Sequence, residues 1–229
     1  MYGAVLVARG GAIPPPGILF ADEDAVVRWQ AGIPTERAVV GGITIELQTP
    51  AMRALLEARA EMPKRRLDVT PRTPTAARRT YADTLRFWRG RVNSALRHWE
   101  NKGRLTRQEA RRIRALAPLE QAAEILCLES DGLFFSSNFK KSILTAAAPP
   151  GASQHISMLS LDIKEHDPPR IRAILARHGW FQTVPADLPH FSYLGCNEDE
   201  LPALGLKKVT KGQRVFWVPD LAQASGFVQ

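Results

Sequence analysis

Four absences bound what this 229-residue chain can be. It has only two cysteines, Cys127 and Cys196, too few for a disulfide-stapled scaffold; one disulfide and two separate thiols both remain open. No apolar run reaches the length of a membrane span, and the short patch Val5 to Val7 has Arg9 after it and no charge before it, so it does not read as an intact signal peptide. There is no internal repeat and no low-complexity tract. With only five histidines, any metal site must be built from very few imidazoles.

Hydrophobic residues make up 45% of the chain and charged ones 24%, the balance of a globular protein with a sizeable core. The net charge is +8, and it is concentrated: residues 64 to 114 hold 16 Lys and Arg against 4 Asp and Glu, a net of +12, so the rest of the chain is acidic by 4. A concentrated positive segment suits an anionic polymer, such as nucleic acid, a wall polymer or a phospholipid surface.

Residues 17 to 48 read as short strands, Ile18 to Phe20, Ala25 to Trp29 and Ile43 to Leu47, separated by glycine and proline breakers. Thr49 followed by Pro50 predicts a helix start with Thr49 as N-cap, running to about Glu61. The longest helix is predicted from about Ala76 to Trp99. Its stripe of Tyr81, Leu85, Trp88, Val92, Leu96 and Trp99 recurs at steps of three and four and faces a core. Gly103 is its stop signal, and Thr106 to Glu109 is a capping box that opens the next helix, with Pro118 ending it. Leu119 to Leu128 predicts a third helix, with Cys127 buried. Beyond Asp131 come short strands and loops: a Pro149-Pro150-Gly151 turn, a strand over Ile156 to Ile163, a helix over Arg170 to Arg177 and a strand at Val215 to Val218. The fold class is α+β, organised as a strand and helix unit (1–62), a basic helical segment (63–129) and a C-terminal domain with a small antiparallel sheet (130–229).

Chemistry concentrates after the Pro-Pro-Gly turn. His155, Asp162 and His190 supply two imidazoles and a carboxylate, a three-ligand set whose fourth position is left for water or substrate, as in catalytic zinc sites. His155 and Asp162 are seven residues apart, which no straight strand or helix can bring to one metal, so the backbone must bend between them. Asp187, three residues before His190, is placed to serve as general base. His98, His166 and His178 have no partner at metal spacing; His166, beside Glu165, is the substitute ligand.

Ser153, His155 and Asp162 stand at the offsets of the S-x-H-x-x-G-x-A-x-D motif, and Asp187 to His190 resembles an E-x-x-H motif followed by an aromatic. Ser137-Asn138-Phe139-Lys140 is similar to an S-G-Y-R stretch. Together, over residues 130 to 195, these resemble the D-alanyl-D-alanine carboxypeptidase (VanY-like) zinc peptidases. The departures are Met158 for the motif glycine, Ser160 for the alanine, Asp187 for the glutamate and Lys140 for the arginine.

The resemblance implies a zinc peptidase fold, Zn2+ on His155, Asp162 and His190, and Asp187, Lys140 and Ser153 as catalytic residues. It also implies a peptidoglycan stem peptide or other small peptide as substrate, and a cell-envelope setting. Two other functions stand beside it: a wall-peptide binding module without turnover, and a nucleic-acid-binding protein acting through the +12 segment. The latter is ranked last because the turn at Gly103 is not followed by a recognition-helix pattern.

Overall fold

A computed structural model describes residues 3–62 and 67–220, so the Lys64-Arg65-Arg66 lead of the basic segment lies outside it. The fold class is α+β: six α-helices and seven short strands in three antiparallel sheets among the described residues. The chain divides into two compact units. Unit 1 comprises residues 1–18, 27–79 and 154–229; unit 2 comprises 19–26 and 80–153.

In unit 1, β1 (Thr35–Val40) and β2 (Ile43–Gln48) form a hairpin, and α2 (Thr49–Glu61) follows directly. Ile45, Leu47, Met52 and Leu55 from these elements bury against Leu161, Ile174, Leu175 and Phe191 in the main core of the unit. That pattern of apolar residues on one face of each element is what drives the assembly. β3 (Ser160–Asp162), β4 (Trp180–Phe181) and β5 (His190–Tyr193) form the central sheet in the order β3-β5-β4, with α6 (Pro169–Arg177) between β3 and β4 in sequence. β6 (Leu206–Lys211) and β7 (Arg214–Pro219) close the unit as a second hairpin over a small cluster of Phe181, Leu201, Leu206 and Trp217.

Unit 2 is helical. α3 (Tyr81–Asn101) starts five residues later than its sequence pattern suggests, because Thr80 forms a capping box with Asp83 and the preceding Pro74–Ala76 turns as a 3-10 helix. Trp88, Val92 and Leu96 of its stripe are buried, joined by Ile113 of α4 (Arg107–Ala115) and Ile125 of α5 (Pro118–Ser130). The Thr106 and Glu109 capping box is present as expected. The Pro149 turn uses Gly151 at φ 81, where a Cβ would sit 2.1 Å from the Phe20 carbonyl oxygen, so no other residue fits.

Several expectations are corrected. The run Ala25 to Trp29 is part of α1 (Glu23–Ala31), not a strand: Asp22 accepts the Ala25 N–H at 2.8 Å, and Glu23 and Asp24 occupy the positive end of the helix. Thr49 is the first residue of α2 and not its cap; the flanking position is Gln48. Pro118 does not stop α4, which ends at Ala115; it opens α5, where its missing N–H costs nothing. Both cysteines are free, and Cys127 is exposed because it falls on the outer face of α5. Of the strand expected over Ile156 to Ile163, only Ser160–Asp162 is extended.

Candidate metal centre

β3 and β5 pair antiparallel with Asp162 directly opposite His190 and Ser160 opposite Ser192, so these four side chains share one face of the sheet. The opposite face, with Leu161 and Phe191, enters the main core. His155 arrives from the 3-10 turn Gln154–Ser157, and the chain then swings into β3 through Met158, whose φ of 56 lies in the left-handed region. This is the bend that the seven-residue spacing demands. A buried methionine occupies a conformation that usually selects glycine, at a cost of roughly 1–2 kcal/mol that its packing offsets.

The turn is pinned by buried amide side chains. Gln30 Nε2 donates to the Ile156 carbonyl at 2.9 Å, Gln48 Nε2 to the Ser157 carbonyl at 2.8 Å, and the Gln48 and Arg79 backbone N–H groups bond the Met158 and His155 carbonyls at 3.0 and 3.2 Å. An irregular buried backbone must find such partners.

The result is a triangle. His155 Nε2 lies 3.2 Å from Asp162 Oδ1, His190 Nδ1 lies 3.1 Å from the same oxygen, and the two ring nitrogens are 3.1 Å apart. Tetrahedral zinc with bonds of ~2.0–2.1 Å holds its ligand atoms about 3.3 Å apart, so the donor set fits a zinc ion in both chemistry and spacing. The contacts of the other ring nitrogens agree. His190 Nε2 faces Gln154 Oε1 at 3.2 Å, an oxygen that also accepts from Ser192 and Thr183, so a proton on Nε2 has an acceptor and Nδ1 is the nitrogen turned into the triangle. The His155 Nδ1 is buried with no partner. Three atoms with lone pairs thus converge on one point, where a cation would be held.

Electrostatics favour ligation. Burial, with help from the Arg79 charge, lowers the His155 pKa to about 4, so the ring is neutral at pH 7. Burial alone would raise Asp162, but His155 and His190 hold it well below the usual carboxylate range. Arg79 donates to the other Asp162 oxygen at 2.8 Å and fixes the carboxylate's orientation. Asp187 is exposed, yet desolvation by the protein beside its carboxyl raises its pKa, and the Asp162 charge adds to this; His190, Arg79 and Arg72 pull the other way. The Asp187 carbonyl accepts the His190 N–H at 3.1 Å, tying Asp187 to His190.

His155, Asp162 and His190 are thus brought together, as the sequence motif requires. Lys140 lies on an exposed loop of unit 2, and Ser153 is the last residue of that unit, half-buried; the atoms of the triangle all belong to unit 1. The substitute ligand His166 instead lies beside Asp167, at 3.2 Å. Sequence reasoning missed Gln154, Arg79 and Arg72. Arg72 is exposed, its N–H bonds the Asp162 carbonyl at 2.9 Å, and its guanidinium makes no hydrogen bond or ion pair among the described residues. Only the turn prolines around it, Pro71 and Pro74, signalled that this segment has a fixed shape.

Among solved structures, one similarity emerges. It is to the D,D-pentapeptidase VanY. That structure, a variant from a VanB-type vancomycin resistance cassette in complex with Zn(II), is 14% identical, with a TM-score of 0.42 over 85% of this chain and 89% of that one. A similarity that distant carries no argument about chemistry, which rests on the triangle itself. No family model matches the chain, and no curated protein matches it.

Proposed function

We propose that this protein is a zinc-dependent peptidase of the D,D-carboxypeptidase type, hydrolysing a peptide bond in peptidoglycan stem peptides or similar small peptides. The observation that carries the reading is the His155, Asp162, His190 triangle with a raised-pKa carboxyl, Asp187, bonded to one of its members through the backbone. When bound, zinc supplies a Lewis-acid centre that activates water and polarises a carbonyl.

The protein's own residues do the rest. Asp187 takes a proton from water and returns it to the leaving amine, and a raised pKa brings it closer to the working range for both tasks. Gln154 holds the His190 ring in the tautomer that presents Nδ1, and Arg79 holds Asp162. Arg72 is a cation of unit 1 whose guanidinium makes no hydrogen bond or ion pair among the described residues and whose charge acts on Asp187, which makes it a candidate to receive a substrate carboxylate; Lys140 is the cation that sequence resemblance assigns to the same task, with Ser153 as a substrate hydrogen-bonding group. Replacing each in turn by alanine separates them: the residue that meets the carboxylate raises KM by about ten-fold or more.

The direct test is incubation with D-alanyl-D-alanine-terminated muropeptides, with and without a chelator. Release of the terminal residue that chelator abolishes and zinc restores is the expected result. Equal inertness in both arms, beside an active control enzyme, would sink the peptidase reading. A second reading is favoured by one feature, the aspartate at 187, one methylene shorter than the glutamate of the motif it resembles: the pocket binds wall peptides without turnover. Cleavage that appears only in Asp187→Glu would decide for it.

A further inference from the structure

Beside the triangle, four further polar side chains are shut away from solvent. Ser160, Thr183 and Ser192 are 0% exposed and Gln154 is 3% exposed. Small apolar residues would fill these places without the desolvation that a buried hydroxyl or amide must recover through hydrogen bonds. Ser160 stands where the motif of the zinc peptidases has alanine, so here the chain carries a hydroxyl that the pattern does not call for.

Their contacts converge on one atom. Gln154 Oε1 lies 3.2 Å from His190 Nε2, and it accepts from Ser192 Oγ and, at 3.3 Å, from Thr183 Oγ1. Thr183 Oγ1 and Ser192 Oγ are themselves 2.8 Å apart, and Ser160 Oγ lies 3.4 Å from Ser192 Oγ. A hydroxyl has one proton to give. With the Ser192 proton on Gln154, the shorter contact puts the Thr183 proton on Ser192, which makes a chain from Thr183 through Ser192 to Gln154 that ends against the His190 ring. Each link polarises the next. Thr183 lies two residues beyond Phe181, the β4 residue paired with Ser192, and its side chain bonds no atom of the triangle among the described residues.

A metal-bound histidine donates its other ring N–H, as a rule to a carboxylate, a backbone carbonyl or water, and that acceptor fixes the ring. Here the acceptor is a side-chain amide, which is uncharged and nearly the same shape at its oxygen and nitrogen ends. Such a group needs orienting. We infer that Thr183 and Ser192 are positioning residues for the metal centre: through Gln154 Oε1 they hold the His190 ring with Nδ1 in the triangle, and so set how tightly the triangle holds zinc. The inference rests on the metal reading of the triangle and assigns a role to residues outside it.

The test is zinc affinity of the full chain, measured by competition with a chromophoric chelator. Gln154→Met is expected to weaken binding by about 10–100-fold, the range for losing such an acceptor, Ser192→Ala by about ten-fold and Thr183→Val by about five-fold. Thr183→Ser, which keeps the hydroxyl and loses the methyl, stays within about two-fold of the wild type. Combined with Gln154→Met, Thr183→Val adds nothing to the loss, because its effect passes through that amide. A threonine that served packing alone would give additive losses and no rescue by serine. Zinc held by Thr183→Val or Ser192→Ala as tightly as by the wild type, equal losses in Thr183→Val and Thr183→Ser, or additive losses in the double variant would each overturn the inference and leave the metal reading intact. A wild-type protein that binds no zinc would overturn both.

Discussion

Unit 2 and unit 1 solve opposite problems. Unit 2 buries Trp88, Val92, Leu96, Ile113 and Ile125 on helices that begin with capping boxes at Thr80 and Thr106, so each local signal agrees with the packed result. Unit 1 buries His155, Asp162 and His190 together with Gln30, Gln48, Gln154, Thr183 and Ser192, polar groups whose desolvation must be met bond by bond. The lesson is that apolar periodicity builds the scaffold of one region, while a polar network held in strained, irregular backbone builds the chemistry of the other.

The largest effect should come from breaking the apolar side of that contrast. Trp88→Ala empties a fully buried site and leaves Gln121 Oε1 without the indole that donates to it at 2.9 Å. Urea unfolding should show a loss of about 3–5 kcal/mol; a loss under ~1 would mean that the helical core is not what holds unit 2.

On the polar side, pH is the lever. His155 has its pKa lowered to about 4 from 6.5, so between those values the unfolded chain binds the proton and the folded one does not. Stability of the zinc-free protein should therefore fall as pH drops through that window, by roughly 2–3 kcal/mol at pH 4.5. Asp162, held low, adds a loss in the same direction at still lower pH. His155→Gln should flatten the slope; an unchanged slope would remove the histidine from the account.

Met158→Gly relaxes the left-handed backbone but removes a side chain that is 0% exposed. Lost burial outweighs relief, so a net destabilisation of about 2 kcal/mol is expected in thermal or urea unfolding. Stabilisation would show that strain, not packing, dominates the bend. The smallest effect belongs to a cap: Thr106→Ala should cost about 1 kcal/mol in the same urea experiment.

The same contrast explains what the sequence discloses. The α3 stripe, the stop at Gly103 and the box at Thr106 are legible because the helical period and its punctuation depend only on neighbours in the chain. The triangle of His155, Asp162 and His190 is legible through spacing, since the three keep the offsets of a known pattern. The supporting residues are not. Gln30, Gln48 and Gln154 look like solvated side chains, and only the tertiary fold turns them inward to hold the Ile156 and Ser157 carbonyls and the His190 ring. The misread of Ala25 to Trp29 has a similar origin: five residues of mixed polarity fit a strand as well as a helix, and the deciding groups, Asp22 and Glu23, stand outside the run.

The measurement that tests the central claim most directly is the zinc content of the purified protein after dialysis, set beside His190→Ala and Asp162→Ala. The account predicts about one zinc per chain, lost in both variants, because each removes one of the three atoms that meet at 3.1–3.2 Å. No retained zinc, or zinc retained equally by both variants, would contradict it.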